Sequence, residues 1–170
     1  MHQSAENYGG GEKVKYQARL LMKSDLLRCS DLYTEVFNSP PWNDGWEQQI
    51  AQERLTDIFH HPKFVGFGAF SKEGNLLGFL LGYSEKWVKA NHFYLNEMCV
   101  ASAYQGRGIG SGLIDKLANY CDDHAINSIF LLTAREGLAE VFYKKNGFEN
   151  ITGLVMMAKR LEDRHKRKKV

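Results

Sequence analysis

Three groups of residues in this chain have types and spacing suited to chemistry. They are a run of alternating glycines, a carboxylate inside an apolar strand, and three scattered thiols. The run "AYQGRGIGSGL", residues 103–113, carries Gly106, Gly108, Gly110 and Gly112 directly after an apolar stretch. Each glycine costs a helix roughly 1 kcal/mol against alanine, so the run needs a physical reason. A strand ending in a glycine-rich turn that opens a helix is suited to binding phosphate. The helix start offers unpaired N–H groups and the positive end of a dipole, and missing Cβ atoms let phosphate oxygens come close. Two common forms fail. No Gly-Lys pair follows, as a P-loop needs, and Ser111 stands where a dinucleotide fingerprint needs its last glycine.

In "FYLNEMCV", residues 93–100, only Asn96 and Glu97 interrupt the apolar character. Desolvation raises a carboxylate's pKa, which makes Glu97 a candidate proton acceptor. Cys29, Cys99 and Cys121 form no CxxC or Cys/His cluster, so neither a disulfide frame nor a metal site is indicated. A reducing cytoplasm is the natural setting for such thiols.

Several elements must position these groups. A strand is expected over residues 14–21, then a helix capped by Ser24 and running through Phe37. "NSPPW" breaks it, and Asp44 with Glu47 resembles a capping box for a second helix ending near Pro62. Residues 64–70 and 76–83 read as a hairpin, and 93–100 as a central strand. The glycine run opens a helix with Leu113, Ile114, Leu117, Ala118 and Cys121 on one face. A strand over 126–133, a short helix over 136–145 ended by "NGF", and a last strand over 155–159 complete the chain. The order βααβββαβαβ predicts an α+β or α/β sandwich, with helices on a mixed sheet.

The chain has 170 residues, enough for one domain with a proper core. Residues 1–11 read as a disordered leader or an expression remnant, 12–160 as the domain, and 161–170 as a basic tail. The net charge is +2; from Arg160 on it is +4, which leaves −2 for the rest. A basic tail can point to nucleic acid or anionic lipid, but no basic body accompanies it, and a solvated terminus explains it as well. No apolar run reaches the roughly 18 residues of a membrane span.

"QGRGIG", residues 105–110, matches the Q/R-x-x-G-x-G/A signature of the GNAT superfamily of N-acetyltransferases. "AEVFYKKNGF", residues 139–148, resembles that family's second signature, A-x-x-x-Y-x-K-x-G-F. The resemblance covers residues 14–160. It implies a mixed, mostly antiparallel sheet with helices on both faces, and acetyl transfer from acetyl-CoA to an amine in a ternary complex. Gln105, Gly106, Arg107, Gly108, Ile109, Gly110 and Ser111 then cradle the pyrophosphate. Met98, Cys99 and Val100 line the pantetheine, and a backbone N–H there meets the oxyanion. Within the signature Gly106 fills a variable slot, and Gly112 lies inside the helix for close packing. Cys99 is either a thiol close to the thioester or a small buried hydrophobe. Tyr143 matches the family's tyrosine, as acid for the leaving thiolate or as packing. Glu97 is the candidate base, with a water chain or a pre-deprotonated amine as alternatives. Polyamine acetyltransferases have their glutamate where Asn96 stands here. Other relatives would place the base at Tyr94, and many have Asn near position 136, where this chain has Glu136.

In this family the segment between the first two helices builds much of the acceptor pocket. Trp42 and Trp46 offer flat walls there, and Asp44 and Glu47 offer negative charge for a cationic amine; core packing and helix capping are the competing roles. The expected acceptor is the primary amine of a small molecule, of polyamine or aminoglycoside type, or of a peptide or protein. A homodimer is compatible with the resemblance. The alternatives are a non-catalytic acyl-CoA sensor and an RNA-directed enzyme guided by the tail.

Overall fold

The computed structural model describes residues 14–161. The leader expected over residues 1–11 and nearly all of the basic tail lie outside the described residues. Two compact units divide the chain, Met1–Thr133 and Ala134–Val170.

The first unit is built on β1 (Gln17–Leu20), α1 (Leu26–Phe37), α2 (Gln48–Phe59), β2 (Phe64–Phe70), β3 (Leu76–Lys86), β4 (Asn91–Val100), α3 (Ile109–Asp123) and β5 (Ser128–Phe130). The strands pair in chain order. The first three pairs are antiparallel; short connections join β2 to β3 and β3 to β4, while α1 and α2 lie between β1 and β2. β4 and β5 are parallel, and α3 supplies the crossover that a parallel pair requires.

One face of the sheet is covered by α1 and α2. Cys29, Leu32, Tyr33 and Val36 of α1 and Ala51, Leu55 and Phe59 of α2 meet Phe70, Phe79, Leu81 and Cys99. Side chains alternate along a strand, so Phe67 and Leu80 point to the opposite face. There Tyr120 of α3 meets Phe67 edge-on at 5.9 Å. The helix periodicity expected from Leu113, Ile114, Leu117 and Cys121 is realised; all four are buried.

Gly112 has a packing role. A Cβ there would stand 1.9 Å from the Tyr16 hydroxyl. The alternating glycines therefore serve different needs. Gly106 and Gly108 adopt positive φ, +72° and +85°, with nothing within 4 Å of a Cβ built on either. Gly106 is thus required by the turn's backbone, beyond its variable place in the signature.

Several boundaries differ from expectation. Ser24 does not cap α1. A single 3-10 turn, Lys23–Asp25, precedes the helix, and Asp25 accepts the Met22 amide at 2.9 Å. The capping box of Asp44 and Glu47 does not form, because α2 starts at Gln48 and its start has no side-chain cap. Asp44 accepts the Trp46 indole N–H instead, at 3.2 Å. β5 has three residues rather than eight. Residues 155–159 form no strand, and Val155, Met156 and Met157 are 79%, 80% and 87% exposed. Apolar residues alone do not make a strand; the backbone needs a ladder partner, and among the described residues this segment has none.

The second unit holds α4 (Leu138–Lys145). "NGF" ends it in a Schellman motif. Gly147 takes φ +84°, its amide donates to the Lys144 carbonyl at 3.1 Å, and the Phe148 amide donates to the Tyr143 carbonyl at 3.1 Å. The Phe148 ring meets the Tyr143 ring at 5.4 Å, the apolar contact that accompanies this motif. The second signature thus fixes the tyrosine on its own helix end. Near the helix start, Lys144, Asn150 and the Glu136 amide all donate to Glu140, holding its carboxyl down at about 2.

Asp25 gives a direct test of what anchors α1. It is 2% exposed and takes two hydrogen bonds from Arg19, at 2.7 and 2.8 Å. Those bonds hold its carboxyl below the usual range. A carboxylate with a lowered folded pKa contributes its full stabilisation above the unfolded value of about 4, and loses it as pH falls through the folded value. Asp25→Asn should lower unfolding free energy by about 1–2 kcal/mol at pH 7. The gap to the unmodified protein should close in strong acid, as read by urea denaturation at the two pH values.

Candidate functional site

The ladder between β3 and β4 departs from regular pairing at one place. Leu81 pairs with Glu97 and Gly82 with Leu95, so Asn96 is an extra residue, a β-bulge in β4. Gly82 permits it. A Cβ on Gly82 would lie 1.9 Å from the Tyr94 carbonyl oxygen, a backbone atom with no freedom to swing away.

The bulge has two consequences. A regular strand would put Tyr94 and Glu97 on opposite faces, since they are three residues apart. Here Tyr94 pairs with Tyr83 and Glu97 with Leu81, and Tyr83 and Leu81 share a face. Both side chains therefore lie on the face of α1 and α2. Second, the parallel ladder to β5 covers only His92, Phe93 and Tyr94. Its last rung is an aromatic stack, Tyr94 on Phe130 at 4.8 Å and 9°. Beyond it, Leu95 and residues 97–100 are paired to β3 alone, which leaves one backbone edge of β4 without a ladder partner among the described residues.

β4 runs straight into the glycine turn. Gln105 ties the two together by donating to the Val100 carbonyl at 2.9 Å. Residues 105–108 are exposed, while Ile109, 1% exposed, anchors the start of α3 in the core. Gly108 stands at the N-cap, and among the described residues no side chain caps the helix. The first-turn amides of Ile109, Gly110 and Ser111 have no intrahelical acceptor, and no acid stands in that turn. This start is free to take an anion. Arg107 places its guanidinium 5.8 Å from the Tyr104 ring, at the rim of the turn. The residues present fit a phosphate-bearing ligand: a bare, positive-φ turn feeding an uncapped helix.

Glu97 is 8% exposed and is ion-paired. Arg54 of α2 donates to its Oε1 through Nε at 2.8 Å and through a second guanidinium nitrogen. Burial pushes the Glu97 carboxyl up; Arg54 and the Tyr33 hydroxyl pull it back without cancelling the rise. Trp46 completes the group, edge-on to Tyr33 at 5.2 Å and 5.8 Å from the Arg54 guanidinium. Glu97 and Trp46, both expected at the site, are thus brought together. Their connectors, Arg54 and Tyr33, were not singled out from sequence. The only signal for them was a cation next to Leu55 on an amphipathic helix and a phenol on the apolar face of α1.

Trp42 packs on Phe37 at 5.6 Å and remains 38% exposed. Asp44 is engaged by Trp46, and Glu47 is exposed at the start of α2. The loop between α1 and α2 is clamped by Asn38, which accepts the Trp46 amide at 2.6 Å and donates to the Trp46 carbonyl at 2.9 Å. Met98 and Val100 are half-buried. The Cys99 side chain lies in the α1–α2 core, where burial pushes the thiol far up and keeps it protonated. That is the behaviour of a small hydrophobe. Among the described residues no cluster of His, Cys, Asp and Glu is suited to hold a metal ion, and no helix is long and apolar enough to cross a membrane.

Residues 26–148 match the acetyltransferase (GNAT) family. Solved structures share the fold. An aminoglycoside acetyltransferase from an uncultured soil metagenomic sample, in complex with sisomicin, is 18% identical with TM-score 0.68, covering 86% of this chain and 97% of that one. An aminoglycoside N-acetyltransferase in complex with CoA is 16% identical with TM-score 0.69, over 88% and 98% of the two chains. Glucosamine-6-phosphate N-acetyltransferase from Arabidopsis thaliana is 18% identical with TM-score 0.64, over 87% and 99%.

The bulge predicts which glycine the sheet cannot replace. Gly82→Ala should cost about 3 kcal/mol or more, the upper range for overpacking against a fixed neighbour. Gly153→Ala, where a Cβ meets nothing within 4 Å, should stay within about 0.5 kcal/mol of the unmodified protein. Chemical denaturation of the two variants reads the difference.

Proposed function

The chain belongs to the GNAT acetyltransferase family, and from that premise we propose that it transfers acetyl from acetyl-CoA to the primary amine of a small molecule. The observation that carries the donor half is the bare turn at Gly106 and Gly108: among the described residues, the strand edge before it has no ladder partner and the helix after it has no side-chain cap. The amides of residues 106–111 take the pyrophosphate. The pantetheine lies along residues 98–100 of β4 and adds to the sheet as a strand would.

In the reaction the amine lone pair attacks the thioester carbonyl. A backbone N–H of the 98–100 stretch stabilises the oxyanion that forms. The C–N bond has formed at that point; the oxyanion then collapses to C=O, the C–S bond breaks, and the thiolate takes a proton from the Tyr143 phenol. This role for Tyr143 rests on the second signature. The amine's own proton has two routes. Glu97 can take it on the carboxylate oxygen that Arg54 leaves open, or water carries the proton away while Glu97 holds α2 against the bulge. The acceptor side is lined by Trp42, Trp46, Asp44 and Glu47. The aminoglycoside and glucosamine-6-phosphate enzymes of the same fold make sugar amines the first class to try.

The test is thiol release from acetyl-CoA, corrected for hydrolysis, with sisomicin, glucosamine 6-phosphate, spermidine and an N-terminal peptide as acceptors. Release that depends on an amine supports the proposal. A protein that binds CoA yet releases no thiol with any of these amines would instead be a sensor. With the fastest amine, Tyr143→Phe should lower kcat about 100-fold, within the usual range for losing a general acid, and leave the KM for acetyl-CoA within about twofold.

A further inference from the structure

The bulge carries one polar atom that the fold leaves unused. Asn96 Oδ1 is buried and has no hydrogen-bond partner among the described residues. Native structures satisfy nearly all such atoms, and an exception calls for an explanation such as an absent ligand. The next residue behaves in the opposite way. Glu97 Oε1 already accepts twice from Arg54, and the Tyr33 hydroxyl adds a further bond. Of the two polar residues that interrupt β4, one is already engaged and the other waits for a donor.

The place of Asn96 narrows what that donor is. The residue stands two positions past the last rung to β5, inside the stretch of β4 whose backbone edge has no ladder partner among the described residues. A carbonyl oxygen accepts hydrogen bonds and cannot donate them, so its partner must offer an N–H or O–H. We propose that Asn96 Oδ1 accepts an N–H of the acceptor's primary amine and is the residue of the bulge that seats the nucleophile. This rests on the acetyltransferase reading above and deepens it on the acceptor side.

The seat also selects a form of the amine. Asn96 is neutral, and the charge of Glu97 is compensated by Arg54 at 2.8 Å. A buried place without net charge disfavours an ammonium ion and tolerates the free amine, the form that has a lone pair to attack with. Asn96 is in this account a binding residue that holds the amine by its hydrogen. It takes no proton from it.

The experiment compares Asn96→Leu and Asn96→Asp with the unmodified protein, using the amine of the panel that it turns over fastest. Leucine removes the acceptor oxygen at similar volume. Its KM for the amine should rise at least tenfold, its KM for acetyl-CoA should stay within about twofold, and its Tm should be equal or higher, because a buried unpaired polar atom has gone. Asn96→Asp keeps an oxygen in place and should hold the amine KM within about threefold. An Asn96→Leu protein with unchanged amine KM would overturn the proposal. So would a rise in the KM for acetyl-CoA alone, which would give the oxygen to the pantetheine. A lower Tm with both constants moved together would make Asn96 structural and overturn it as well. If the unmodified protein acetylates none of the amines, it is the functional reading that fails, and this inference falls with it.

Discussion

An extra residue in β4, facing a glycine in β3, is the constraint on which the rest of the site depends. The Tyr94 carbonyl approaches the β3 backbone so closely that only Gly82 can stand opposite. Asn96 is the residue left over. Because side chains alternate along a strand, one extra residue reverses the faces of everything beyond it. Glu97 and Cys99 are turned toward α1 and α2, while Phe93 and Leu95 keep the opposite side. The same bend stops the ladder to β5 after its third rung. A local distortion thus puts Glu97 beneath the two helices, next to a strand edge that has no ladder partner among the described residues.

The electrostatics follow from that placement. A carboxylate turned into an apolar core is expensive unless it is paired. Arg54 meets the cost from α2, and Tyr33 meets part of it from α1. The pair links the sheet to both helices and, through Trp46, to the loop between them. A carboxylate so engaged is better described as a tie between elements than as a free base. The glycine turn needs no such compensation, since its helix start attracts anions through the backbone alone.

Much of this was legible in the sequence, and what was missed has a common cause. The glycine run, the hairpin of β2 and β3 and the "NGF" stop depend on neighbours in the chain, so local pattern was enough to read them. Tyr143 and Phe148 meet because their helix ends in a Schellman motif, which is a local event too. The bulge depends on two strands meeting, and its only trace was a glycine inside the apolar run of β3. The Arg54–Glu97 pair joins residues 43 positions apart, which no spacing rule reaches. The capping box at Asp44 failed for a related reason. Clamped by Asn38, the loop holds Asp44 on the Trp46 indole and delays the helix start to Gln48. The strand expected over residues 155–159 had the composition of a strand, and composition does not supply a ladder partner.

In the proposed function, the bulge frees the edge of β4 for the donor. Amide hydrogen exchange with and without CoA tests it most directly. Exchange at residues 98–100 and 106–111 should slow when CoA is added, with β1 and β2 unchanged. Protection confined to the glycine turn, with residues 98–100 exchanging as before, would contradict it, because the strand edge would then have no part in holding the donor.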